Sequence, residues 1–173
     1  MKHLLQSLKD ALAAENHYAA LALAVALPDI CGWVLDPNSG SKARCVAWFE
    51  RYMQPTYTRP ATDRFSEHVF LNGFDFYALR CAYLHEGRDD ITEQHARQVL
   101  NNFQFVVPPA GCLVHCNQSN NTLQLQVDVF CLELAEGTLQ FMTDISGDTD
   151  AMQRMDQLLL IRDVNGKPLL GGA

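Results

Sequence analysis

The sequence predicts a mainly α-helical bundle with a small β element in its C-terminal half, and three observations carry that expectation. Apolar residues recur at helical spacing in four segments, capping and stopping residues bracket those segments, and the clearest apolar–polar alternation falls between residues 112 and 127. At 173 residues, with 48% hydrophobic and 19% charged side chains, the chain is expected to form one domain, 1–173, able to bury a normal core.

The first helix is expected over Lys2 to Leu27. Leu4, Leu5, Leu8 and Leu12 share one face, small residues from Ala19 to Ala26 let a neighbour pack closely, and Pro28 stops it. Asp36 to Gly40 reads as a loop, after which Ser41 caps a helix to about Met53 that carries Val46, Trp48 and Phe49. Residues 54–66 form a polar connection with two prolines, whose length and place suit either a plain linker or a substrate-contacting loop. The next helix is expected from Gly73 to Glu86. Asn72 caps it, Asp75 at the third position can bond back to the cap, and Gly87 can take the left-handed conformation that ends a helix. Phe74, Ala78, Cys81 and His85 form its expected buried stripe, with Tyr77 and Leu84 beside it.

A short helical pattern follows from Thr92 to Asn101, then the apolar run Phe103 to Val107. Cys112 to Cys116 and Thr122 to Val127, flanking residues 117–121, read as a β-hairpin whose apolar face carries Leu123 and Leu125. A last long helix is expected over Asp128 to about Ile145, with Gly137 a weak point inside it. The C-terminal region then reads as a short helix over Asp150 to Gln157, a strand over Leu158 to Ile161, and a turn at Asn165-Gly166.

The net charge of −7 argues against broad, sequence-independent nucleic-acid binding, which depends on Lys and Arg neutralising phosphates, so any RNA contact must be local. Candidate cations are Lys42, Arg44, Arg51, Arg59 and Arg64, with ordinary solvated charges as the plain alternative. The longest apolar run, Tyr18 to Leu27, has ten residues, short of the roughly 18 a bilayer requires, and Asp10 and Glu15 before it are unlike a secretory leader. The expectation is therefore a cytoplasmic protein with no membrane partner. Of six cysteines, only Cys112 and Cys116 lie close together with a histidine, His115. On a strand, residues four apart are separated by about 13 Å, too far to share one zinc. Cys31, Cys45, Cys81 and Cys131 read as core residues. No metal, cofactor or disulfide is expected.

The one recognisable pair of chemical groups is Arg80 and His85, five residues apart. An ideal helix sets such residues about 140° apart, so their heads meet only if the last turn distorts or both reach into one cleft. Gly87 makes distortion easy. Arg offers a permanent cation with a planar donor fork that fits phosphate oxygens, and His can carry a proton near neutral pH, a pairing suited to phosphodiester cleavage. The plain alternative is a helix-ending His on the C-terminal dipole and an Arg in an ion pair.

At this segment the sequence resembles the HEPN superfamily (higher eukaryotes and prokaryotes nucleotide-binding domains), whose hallmark is Arg, four to six residues, then His near a helix end. Here it stands as Arg80-Cys81-Ala82-Tyr83-Leu84-His85, in a form like that of bacterial members. The resemblance covers the motif and, loosely, the helical order of residues 1–145. It implies a HEPN-like helical bundle and a metal-independent endoribonuclease of toxin, defence or RNA-processing type. It also implies a homodimer whose two motifs face one cleft, with RNA as substrate and an antitoxin or other protein as a further partner. In that setting Arg80 and His85 are catalytic, and Asp29, Asp75 and Tyr77 are candidate orienting groups, each with a cap or core role as its plain alternative. Two departures stand out: Cys81 sits where the family commonly has Asn, Asp or His, and Gly87 sits where one branch has Tyr. Cys81 and the acidic balance favour the alternative of a non-catalytic HEPN-like module that binds a nucleotide or a protein.

Overall fold

The computed structural model describes residues 1–161. In chain order its elements are helices α1 (Lys2–Ala13), α2 (His17–Leu35) and α3 (Ser41–Tyr52) and short strands β1 (Thr58–Arg59) and β2 (His68–Val69). Helix α4 (Gly73–Cys81) follows and runs into a π-turn over Ala82–Glu86. Strands β3 (Asn102–Val106), β4 (Asn117–Ser119) and β5 (Thr122–Gln126) and helices α5 (Val127–Asp144) and α6 (Thr149–Asp156) complete the described chain. The mainly helical class with a small C-terminal sheet is the one the sequence implies.

The N-terminal helix is not continuous. Glu15 takes a left-handed φ of 55°, and the Asn16 side chain accepts the Ala19 amide at 3.2 Å, so one helix ends and a second is capped within three residues. Nor does Pro28 stop the second helix, which continues to Leu35. An interior proline costs about 3 kcal/mol. Leu21, Val25, Leu27 and Val34 of the same helix are buried, each contributing about 1.5–3 kcal/mol, so packing outweighs the lost hydrogen bond.

Helix α2 contacts α1, α3, α5 and α6 and is the axis of the bundle. It is long and apolar enough to cross a membrane by length and composition, with a mean hydropathy of 1.8, while 56% of that window is buried inside the protein. Two glycines set the spacing of the helices that carry the site. An added Cβ at Gly32 would lie 2.8 Å from the Arg44 carbonyl oxygen, and one at Gly73 would lie 2.8 Å from that of Val46, so α2–α3 and α3–α4 approach as only glycine permits. Phe49 of α3 and Phe76 of α4 then stack at 4.4 Å, with Tyr57, Phe103 and Phe130 buried nearby. Gly137 is no weak point, since it seats α5 against Met53 and Trp48.

The β region departs from expectation. The hairpin is β4–β5, paired antiparallel, with Asn120 at φ 51° in its two-residue turn, so residues 117–119 are strand and not loop. Residues 112–115 are irregular, which removes the strand geometry that separated Cys112 from Cys116. Most of the apolar run Phe103 to Val107 falls in strand β3 (Asn102–Val106), parallel to β5 at the other edge, in the order β3-β5-β4. Leu123 and Leu125 point into the core, as their alternation implies. Thr92 to Asn101 is a series of turns because side-chain carboxylates capture its amides: Asp90 takes that of Thr92, and Asp75 takes those of Gln98, Val99 and Leu100. Leu158 to Ile161 forms no strand, and Leu159, Leu160 and Ile161 are exposed. The turn at Asn165-Gly166 lies outside the described residues.

Candidate functional site

The motif helix begins as its sequence implies. Asn72 Oδ1 accepts the amides of Phe74 and Asp75, both at 2.9 Å, and its side-chain nitrogen donates to Asp75 at 3.0 Å. Its buried face is different from the expected stripe. Gly73, Asp75, Phe76, Ala78, Leu79 and Ala82 face the core, whereas Phe74 and Cys81 are half-buried and Leu84 and His85 are exposed. The reason is that Phe76 and Leu79 dock on the aromatic core, which turns the His85 side outward.

The helix also ends differently from a regular α-helix. Over Ala82–Glu86 the backbone switches to i→i+5 bonding, closed by the Gly87 amide on the Tyr83 and Ala82 carbonyls and the Arg88 amide on Ala82 at 3.1 Å. Gly87 sits at φ 67°, the left-handed terminator. A π-turn advances by a smaller angle per residue than an α-helix. The five-residue step from Arg80 to His85 therefore overshoots one full turn by less than the roughly 140° of ideal geometry.

Arg80 is held by an acidic hub. Its Nη2 donates to Asp29 Oδ2 at 2.7 Å, Arg44 Nε donates to Asp29 Oδ1 at 2.7 Å, and the Ser41 hydroxyl donates to Oδ2 at 2.9 Å. Side-chain exposures of 11% for Asp29, 16% for Arg80 and 20% for Arg44 make this a largely desolvated cluster with two cations to one anion. Charge-assisted bonds of this length are about twice as strong as neutral ones. Arg80 Nε is buried with no hydrogen-bond partner among the described residues. Its guanidinium also lies over the Tyr77 ring at 5.9 Å. Burial, and next the neighbouring Cys81, hold the Tyr77 hydroxyl above its ordinary pKa, so it remains a neutral donor.

Of the three candidate orienting residues, the structure brings Asp29 directly onto Arg80 and places Tyr77 against it. Asp75 is not part of the site: at 1% exposure its carboxylate is committed to the cap and to the backbone of residues 98–100. Ser41 and Arg44 were not legible as its partners. Ser41 reads as a cap, yet Gly40 occupies the cap position and the Ser41 hydroxyl turns to Asp29. The other candidate cations do not converge: Arg51 pairs with Asp144 at 2.9 Å, Lys42 lies over Phe74 and Arg59 over Phe65. No side-chain hydrogen bond among the described residues involves His85. Beside the π-turn lies a cleft of about 260 Å³ lined in part by Tyr18, Tyr83, Gly87, Arg88 and Phe105, and neither Arg80 nor His85 borders it. Among the described residues, no three His, Cys, Asp or Glu side chains are grouped to hold a metal ion.

In comparisons with known proteins, the chain matches no family model, no curated protein and no solved structure.

Proposed function

We propose that the chain is a HEPN-like module that cleaves RNA without metal, using Arg80 and His85 of two subunits across a two-fold cleft. The observation that carries the reading is the π-turn, since it reduces the angular gap between the two motif residues at the point where the motif requires it. His85 takes the proton from a ribose 2′-hydroxyl as general base, and the resulting oxyanion attacks the adjacent phosphate. Arg80 stabilises the charge that builds on the phosphoryl oxygens. Asp29 and Tyr77 orient the Arg80 fork. The second subunit's histidine protonates the leaving 5′-oxygen, which removes the need for one residue to be both base and acid in one passage. Two Arg80 cations meeting at the cleft concentrate positive potential within an acidic molecule. A cytoplasmic setting with a protein partner that covers the cleft fits this reading.

The test is cleavage of single-stranded RNA in EDTA by the wild-type protein and by His85→Ala, with circular dichroism confirming that the variant folds. Cleavage lost in His85→Ala supports the proposal; equal cleavage by both overturns it. A second reading is favoured by one observation: Asp29 already neutralises Arg80, as in a structural ion pair, and Cys81 supplies no polar group. In that reading the chain is a non-catalytic module that binds a nucleotide or a protein partner, and the wild-type protein leaves RNA intact in the same assay.

A further inference from the structure

A cavity of about 400 Å³ lies where the end of α2 meets the side of α3, within the size range of small-molecule sites. Gly32, Ala43 and Ala47 line it and leave the space open, because none carries a side chain beyond Cβ. Leu35 adds apolar surface, and Arg44, Trp48, Arg51 and Tyr52 supply the donors. Arg51, which does not reach the Asp29 hub, thus shares this lining with Arg44, which does.

These donors are short of acceptors. Trp48 is 2% exposed, and its indole Nε1 is buried with no hydrogen-bond partner among the described residues. An indole nitrogen can only donate, and buried donors in folded proteins are nearly always paired, so this one calls for an acceptor. Arg44 commits Nε to Asp29 and Nη1 to the Ser39 carbonyl at 3.4 Å, and Arg51 commits Nη2 to Asp144. Arg44 Nη2 and Arg51 Nε and Nη1 have no hydrogen-bond partner among the described residues. Burial pushes the pKa of the Tyr52 hydroxyl up to about 12, so it stays neutral. Asp36 also lines the cavity, but its carboxylate accepts the Ser39 hydroxyl and the Asn38 amide of its own loop.

We propose that this cavity binds a small organic carboxylate. The carboxylate accepts the Trp48 indole N–H and the uncommitted N–H groups of Arg44 and Arg51, whose planar forks match its two oxygens. Its apolar body lies against Leu35, Ala43 and Ala47. The charge on the lining selects a monoanion: two arginines against Asp36 leave one net positive charge, which a carboxylate neutralises and a doubly charged phosphate exceeds. Asp29 and Asp144, which hold the arginines, do not line the cavity. The site stands independently of RNA cleavage at Arg80 and His85.

The experiment follows the indole N–H signals of Trp33 and Trp48 by proton–nitrogen correlation NMR of the full chain, assigned with Trp33→Phe. The probes are benzoate, its uncharged counterpart benzamide, and inorganic phosphate. Benzoate should move the Trp48 signal to lower field in a saturable way, with a Kd on the order of 1 mM, and leave that of Trp33, which does not line the cavity, in place. Benzamide should bind about tenfold more weakly, because it lacks the charge that strengthens the arginine bonds. Ala47→Leu, on the exposed side of α3, fills the space and should remove the response. Arg51→Ala, at a side chain 61% exposed and so tolerant of replacement, should weaken benzoate by about tenfold. A Trp48 signal that benzoate does not move overturns the proposal, as does an equal response to benzamide or a stronger one to phosphate. A benzoate response that both variants retain overturns it too.

Discussion

Replacing Asp29 by Ala removes the carboxylate that receives Arg80, Arg44 and Ser41 at 2.7, 2.7 and 2.9 Å. Hydrogen bonds to charged groups contribute about 1.5–3 kcal/mol each, so three taken as independent would give roughly 5–9 kcal/mol. They are not independent, because both arginines keep 16–20% of their side chains in contact with solvent and can relax toward it. The applicable figure is that for breaking a largely buried pair from one side, about 3–5 kcal/mol. For a domain of this size each kcal/mol lowers Tm by about 2–4 °C, which gives a fall of roughly 6–20 °C. The assay is thermal unfolding followed by circular dichroism, with urea denaturation as a second measure. A double-mutant cycle of Asp29→Asn with Arg80→Met should return a coupling above about 1.5 kcal/mol. A loss below about 1 kcal/mol in Asp29→Ala, with no coupling to Arg80, would show that the hub does not hold the arginine.

Other outcomes follow from the same contacts. Asp75→Ala strands the amides of residues 98–100 and should destabilise by about 3 kcal/mol or more, while Asp75→Asn, keeping shape but not charge, costs less; urea midpoints check both. Gly87→Ala should cost about 1 kcal/mol, because a Cβ is strained at φ 67°, and should reduce any activity more than that loss implies by disturbing the π-turn. The pH dependence of stability should carry the mark of His115, whose folded pKa of about 9 exceeds the ordinary 6.5. A raised folded pKa means the contribution is complete below pH 6.5 and is lost as pH rises through 9. Its ceiling is about 3 kcal/mol, reduced by solvent screening. Urea midpoints between pH 6 and 9.5 should therefore fall in the wild type and stay flatter in His115→Gln.

Signals carried by adjacent residues were legible in the sequence. Asn72, Asp75 and Gly87 fixed both ends of the motif helix through local hydrogen bonding and backbone freedom, and the alternation around Leu123 and Leu125 gave β5. What depended on tertiary packing was not legible. Pro28 marks a helix end by local rules, yet the burial of α2 carries the helix through it. Asn16 offered a cap signal that the apolar run from Tyr18 concealed. Thr92 to Asn101 has helical spacing, but the decisive partner of its amides, Asp75, lies more than twenty residues away. The candidate site divides in the same way: Arg80 and His85 stand out by type and spacing, whereas the convergence of Asp29, Arg44 and Ser41 exists only once α2, α3 and α4 approach at Gly32 and Gly73. His85 was placed on the buried stripe because spacing by itself does not say which face a short helix turns to the core.

The measurement that bears most directly on the central claim is the mass of the fragments released from a single-stranded RNA in EDTA. The account predicts fragments ending in a 2′,3′-cyclic phosphate with 5′-hydroxyl partners. It also predicts none from His85→Ala and none from the same oligonucleotide bearing 2′-deoxyribose at the cut position. Fragments with 3′-hydroxyl and 5′-phosphate ends, or the same yield from His85→Ala, would contradict it.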